Sequence, residues 1–225
     1  MWKELWNILR EGETLLDEAR AECLRMMDIG EEMLETVLQA MVEEVDAGML
    51  ERIAKQDKLL NAGQIEVRRK VFEHLAVSKG QDLLPGLVLT SVVIDLERIG
   101  DFVKNIGELV SFIPGKLEFR SYEGRYMSVV ERTCEMFART RSAFETMDAE
   151  AAKSHVEFYS GISHDADGLL KAIMETGSPD ETIERRILGL VMLLRYLKRI
   201  AAHLKNICTA ISNPFPRIGF RPEAQ

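Results

Sequence analysis

Two lines of this sequence, about a hundred residues apart, share one skeleton: DLERIGDFVKNI at 95–106 and YLKRIAAHLKNI at 196–207. Leu96, Arg98-Ile99 and Lys104-Asn105-Ile106 answer to Leu197, Arg199-Ile200 and Lys205-Asn206-Ile207. A pattern repeated at that distance makes the chain two copies of one supersecondary unit, a constraint that outranks local propensity. The carboxylates are not repeated. Asp95, Glu97 and Asp101 form an acidic row in the first line, and Tyr196, Lys198 and Ala202 replace them in the second. The shared positions describe packing, and the differing ones describe chemistry held by one copy.

Turn signals cut each copy into three helical stretches. The first copy predicts helices over 14–45 and 49–75 and a third with Pro85 in its first turn, ending near 113. Asp46-Ala47-Gly48 and Ala76 to Gly80 separate them, and Pro114-Gly115-Lys116 marks the boundary between copies. The second copy predicts 122–147, 149–175 and 180–213, with Asp148 as a cap and Gly177-Ser178-Pro179 as stop, cap and first-turn proline. No strand alternation is found. The fold class is therefore all-α: two tandem antiparallel three-helix bundles. The domain plan is an amphipathic segment at 1–13, repeats at 14–113 and 119–213, and a proline-rich tail at 214–225.

Composition narrows the function. At 225 residues with 46% hydrophobic and 7% aromatic content, the chain can bury a real core made mostly of aliphatic and Met side chains. A net charge of -8 argues against a nucleic-acid coat. No apolar run reaches the roughly 20 residues of a membrane-spanning helix, and the acidic N-terminus lacks a signal-peptide pattern. A cytoplasmic protein is the expectation. Cys23, Cys134 and Cys208 are odd in number and dispersed, as for small buried hydrophobes rather than a disulfide or zinc framework.

On the third helix, Val88, Val92, Leu96, Ile99, Val103, Ile106 and Val110 form one apolar stripe. Its first half, 87–96, is apolar nearly all round and should lie between two other helices. Glu97 and Asp101, four apart with Lys104 and Glu108 along the same row, fall roughly opposite the stripe, which predicts a solvent-facing row. Like charges at that spacing cost a few tenths of a kcal/mol unless a metal ion, a cation or water compensates. His74, His155 and His203 are read as single structural or surface histidines without convergent partners, and the Met residues as core filling. Trp2, Leu5, Trp6 and Leu9 make an amphipathic start, read as a short helix capping the bundle in preference to a partner- or membrane-docking element. For Phe215 to Phe220, packing back and reaching a partner are both open.

The string Leu96-Glu97-Arg98-Ile99-Gly100-Asp101 with Asn105-Ile106, in a duplicated three-helix setting, resembles the signature of the PhoU family of phosphate-uptake regulators. Asp57 and Asn61, four apart on the preceding helix, fall where that family has paired aspartates; Gln81-Asp82-Leu83 and the Met-rich 26–45 stretch are similar too. The resemblance spans about 14–213. It implies a PhoU-like six-helix fold and a non-enzymatic adaptor that restrains phosphate uptake and phosphate-starvation signalling. The implied partners are a phosphate transporter ATPase subunit and a membrane histidine kinase, and a homodimer is compatible.

It also implies divalent, iron or zinc ions on Glu-x-x-x-Asp motifs, here Glu97 and Asp101 with Asp57 and Asn61 facing them. Asn61 keeps an oxygen but drops a charge, which weakens such a site. No metal is expected at the second repeat, where Lys198 holds a fixed positive charge and Ser163 and Asp167 on the preceding helix are read as occupying the places of the paired aspartates, only Asp167 remaining acidic. An ion pair from Lys198 to Asp167 is the expected substitute, and a separate cluster of His164, Asp165 and Asp167 the lesser expectation. Two other functions stay open: an accessory protein of a sodium-phosphate carrier, and a metal-binding or storage bundle. The latter needs inward-facing Glu and His ligands from several helices, which the sequence does not offer.

Overall fold

The computed structural model describes residues 14–42, 48–78, 81–112, 122–176 and 181–221. Six helices follow in order: α1 Leu15–Val42, α2 Met49–Val77, α3 Leu83–Phe112, α4 Glu123–Thr146, α5 Ala149–Thr176 and α6 Glu181–Ser212. A 3-10 turn at Phe215–Arg217 closes the described chain. The helix plan from the sequence holds. Among the described residues there is no strand, and no helix is long and apolar enough to cross a membrane.

Local chemistry explains where the helices start and stop. Thr14 and Asp17 form a reciprocal cap on α1: the Asp17 amide donates to the Thr14 hydroxyl at 3.2 Å, and the Thr14 amide donates to the Asp17 carboxylate at 3.0 Å. Asp148 caps α5 as its sequence position predicts, accepting from the amides of Glu150 and Ala151, both at 3.1 Å. Met147 ends α4 in the left-handed region at φ 51°, and the Asp148 amide then reaches back to the Ala143 carbonyl at 3.1 Å. Pro85 sits buried in the first turn of α3, where no helical amide is lost. Asp46, the 114–116 boundary, Gly177 to Pro179 and the 1–13 segment lie outside the described residues.

Each three-helix unit buries the same positions. Ile53, Leu60, Val67 and Val71 of α2 answer to His155, Ile162, Leu169 and Ile173 of α5, all buried. Leu96, Ile99, Val103 and Ile106 of α3 answer to Leu197, Ile200, Leu204 and Ile207 of α6, at 2% exposure or less. Burying one such aliphatic side chain contributes about 1.5–3 kcal/mol, so the shared skeleton of the two lines is the packing skeleton. Gly100 lets Leu60 seat against the α3 backbone, since an added Cβ would collide with the Leu60 Cδ1; Ala201 holds the equivalent place in α6.

The units are joined mainly through α3 and α6, which pack on each other as fully as helices within a bundle do. α1 and α4 add a second contact, where Arg141 holds Asp28 in an ion pair and the Arg20 guanidinium donates to the Phe144 carbonyl at 3.2 Å. α3 is thus covered by α1, α2 and α6 together. Cys23 and Cys208 are buried and Cys134 half-buried, all as free thiols. Burial pushes the Cys134 and Cys208 thiols up to about 11, which leaves both as inert packing groups.

The tail packs back. Asn213 donates to the carbonyls of Arg217 and Phe220, each at 2.9 Å, and the Gly219 amide donates to the Thr209 hydroxyl at 2.7 Å. Gly219 takes φ 87°, a conformation open to glycine at little cost. Phe215 and Ile218 rest on the core.

Candidate functional site

The acidic row of α3 splits between two neighbours. Glu97 and Lys104 turn towards α2, whereas Asp95 turns the other way, towards α6. This corrects the solvent-facing expectation: the side chain of Glu97 is 18% exposed because α2 covers that flank. Burial, then the nearby Asp101 carboxylate, raises the Glu97 carboxyl above its ordinary range; Arg98 and Arg68 oppose the shift while Asp57 adds to it. Asp57, Glu97 and Asp101 therefore share one region between α2 and α3.

They do not share it as a ligand shell. Lys104 Nζ donates to Asp57 Oδ2 at 3.1 Å, and its ammonium is raised by that bond and by the charges of Asp57, Asp101 and Glu108. Asn61 turns its amide nitrogen back to the Asp57 carbonyl at 3.0 Å. Arg98 approaches Glu97 at 3.8 Å and Asp101 at 3.5 Å, loose contacts that neutralise without holding. Among the described residues no group of three His, Cys, Asp or Glu side chains is arranged to hold a metal ion. With Lys104 in place, Glu97, Asp101, Asp57 and Asn61 do not fit one; an ammonium already occupies the most buried carboxylate.

The matching face of the second repeat is built from other chemistry. Lys198 Nζ donates to Asp167 at 2.6 and 2.5 Å, a cross-link between α5 and α6 of the kind the charges anticipate. The register, however, differs from the sequence placement. Lys205, the counterpart of Lys104, lies over the Tyr159 ring at 5.8 Å. The buried positions of α2 and α5 then match Asp57 with Tyr159 and Asn61 with Ser163, and Asp167 falls one turn further on, in the place that Ile65 holds in the first repeat. Lys205 also donates to the Gly219 carbonyl at 2.5 Å, and burial lowers its ammonium. Asp165 pairs with Arg132 and His164 is exposed, so His164, Asp165 and Asp167 do not converge.

Two histidines do have partners, against the expectation of isolated rings. His74 Nε2 lies 2.7 Å from Asp82 Oδ2 and closes the α2–α3 corner. His203 Nδ1 lies 2.7 Å from Asp95 Oδ1, which also accepts from the Asn206 amide at 2.9 Å. Phe102 stacks on His203 at 5.6 Å and meets Tyr196 at 6.1 Å. Since Asp95 and Tyr196 are repeat counterparts, as are Phe102 and His203, these are two versions of one contact about a pseudo-twofold axis. One version is polar and the other aromatic. Asp95 thus ties the repeats together rather than belonging to a ligand face.

Comparison with known proteins places this geometry. The family model described as "PhoU domain" matches residues 23–110 and again 127–211. Curated relatives include the "phosphate-specific transport system accessory protein PhoU homolog" of Clostridium acetobutylicum, 25% identical over 87% of this chain and 90% of that protein. A relative of the same description from Pseudomonas putida is 25% identical over 89% of this chain and 79% of its own length. Among solved structures, PhoU from Pseudomonas aeruginosa superposes with a TM-score of 0.79 at 22% identity, covering 88% of this chain and 95% of that one. The phosphate transport system regulatory protein PhoU from Streptococcus pneumoniae gives 0.76 at 24%, covering 87% and 92%. Both structural likenesses are likenesses of fold. The two matched segments fall on the two three-helix units, and the chain belongs to the PhoU family.

Proposed function

We propose that the protein is a non-enzymatic regulator of phosphate uptake and phosphate-starvation signalling. It would act as an adaptor that contacts the ATPase subunit of a phosphate transporter, a membrane histidine kinase, or both. The observation that carries this reading is the double PhoU match, supported by relatives described as accessory proteins of a phosphate-specific transport system and aligned over most of their length. That description favours a phosphate-specific transport system over a sodium-phosphate carrier.

A divalent cation can enter this reading at the first repeat only by displacing Lys104 from Asp57, which would free Asp57 and Asn61 beside the hard oxygens of Glu97 and Asp101. The test of function is affinity capture of the tagged full chain from its own cells, grown with ample and with scarce phosphate. The expected result is enrichment of a phosphate transporter ATPase or a membrane histidine kinase, together with altered phosphate uptake when the gene is deleted. Unchanged uptake with neither partner enriched would overturn the proposal.

A further inference from the structure

The groove between α4 and α5 opens into a cleft of about 290 Å³ lined by Gly124, Arg125, Ser128 and Asp165. Pockets for organic ligands begin at roughly 300 Å³, so the cleft suits a compact ion. Glycines shape its α5 wall. A Cβ on Gly161 would collide with the Arg132 guanidinium, and the place of a Cβ on Gly168 lies 3.4 Å from Arg125 Nη2. Both guanidiniums therefore lie across the α5 backbone.

Arg132 is committed there: it donates to Asp165 Oδ2, and its guanidinium lies over the Phe158 ring at 5.0 Å. Arg125 is not committed. Among the described residues its guanidinium and the Ser128 hydroxyl have no hydrogen-bond or ion-pair partner, and neither has Asp165 Oδ1. The cleft thus presents a cationic fork and a hydroxyl on one wall, and one open acceptor of a neutralised carboxylate on the other. The first repeat has no counterpart. Matching buried Met26 with Val129 and Val67 with Leu169 puts Glu22 and Glu66 in the places of Arg125 and Gly168.

Donors set against a single acceptor select the ligand. An oxyanion that keeps a hydroxyl satisfies all three groups, whereas one with acceptors alone turns a bare oxygen on Asp165. Hydrogen phosphate carries that hydroxyl and sulfate does not; a phosphate monoester loses its own above a second pKa of about 6.

We propose that this cleft binds inorganic phosphate, with Arg125 and Ser128 donating to its charged oxygens and its P–OH donating to Asp165 Oδ1. The site stands on the residues of the cleft; its use as the signal that sets phosphate uptake rests on the regulatory reading.

Calorimetric titration of the full chain at pH 8 and constant ionic strength tests it. Phosphate is expected to saturate one site per chain with a dissociation constant of about 1 mM or tighter. Sulfate and glycerol phosphate, lacking the donor, should each bind at least about tenfold more weakly. Arg125→Ala should weaken phosphate by a similar factor with helical circular dichroism unchanged, because the residue is exposed. Asp165→Asn offers a donor in place of the acceptor and should bring sulfate level with phosphate. No saturation by about 10 mM phosphate would overturn the proposal. Sulfate that matches phosphate in the unaltered chain, or phosphate affinity that survives Arg125→Ala, would overturn it equally. Saturable binding by a chain that captures neither a transporter ATPase nor a kinase upholds the site and overturns only its regulatory use.

Discussion

Between α2 and α3, Lys104 neutralises Asp57 and leaves Glu97 and Asp101 to the loosely placed Arg98. Between α5 and α6, Lys198 lies on Asp167, Tyr159 replaces Asp57, and Ala202 replaces Asp101. The apolar skeleton beneath the two faces is the same. A three-helix unit therefore needs the aliphatic positions for folding and is indifferent to the sign of the charges laid over them. What the charges change is what each face can accept: the first repeat holds a carboxylate pair that only Arg98 approaches loosely, the second a closed ion pair.

That comparison can be broken at several strengths. The largest effect is expected from the skeleton itself. Leu96→Ala and Leu197→Ala should each cost about 2–5 kcal/mol, measured by urea unfolding; a large cost in one repeat and a trivial one in the other would break the equivalence. Next comes the joint between repeats. Asp95→Ala strips the acceptor from His203 and Asn206 and should cost roughly 1–3 kcal/mol, whereas an unchanged midpoint would show that α3 and α6 hold without it. Lys198→Ala should lose at most about 1 kcal/mol, shrinking further in high salt, because Asp167 is more than half exposed.

The smallest effect concerns Glu97. Its carboxyl is raised in the folded state by burial and by Asp101, so folding retains a proton that the unfolded chain releases more readily. Stability contributed by this group then falls as pH rises from the ordinary carboxylate range through the raised value. Glu97→Gln should stabilise the protein at pH 7 by about 0.2–0.5 kcal/mol, the size of a relieved like-charge pair. The gain should vanish in acid, below the ordinary carboxylate range. A loss of stability at pH 7 would show that Glu97 is already paired.

Much of this was legible in the sequence because apolar spacing and capping residues act locally. Asp148 and Pro85 mark helix starts from within one turn, and the substitution of Glu97 by Lys198 signals an ion pair from charge alone. The flank on which each acid lies was not legible. α3 touches three other helices, so its apolar stripe locates the centre of burial and not its edges, and Glu97 falls under α2 while Asp95 falls under α6. The His203–Asp95 contact spans 108 residues and depends on how the repeats dock. Its one sequence trace was the unmatched pair Asp95 and Tyr196. The misplaced register of Asp167 came from aligning carboxylates; aligning the apolar positions Leu60 with Ile162 and Val67 with Leu169 gives the observed one.

The asymmetry between the faces is tested most directly by calorimetric titration of a divalent cation into Lys104→Ala and Lys198→Ala side by side. Removing Lys104 frees Asp57 beside Glu97 and Asp101 and should create one saturable site per chain, at least about tenfold tighter than in the unaltered protein, a change of roughly 1.4 kcal/mol. Removing Lys198 leaves Asp167 without a second carboxylate across the face and should create none. A site that appears with Lys198→Ala, or none with Lys104→Ala, would contradict the account.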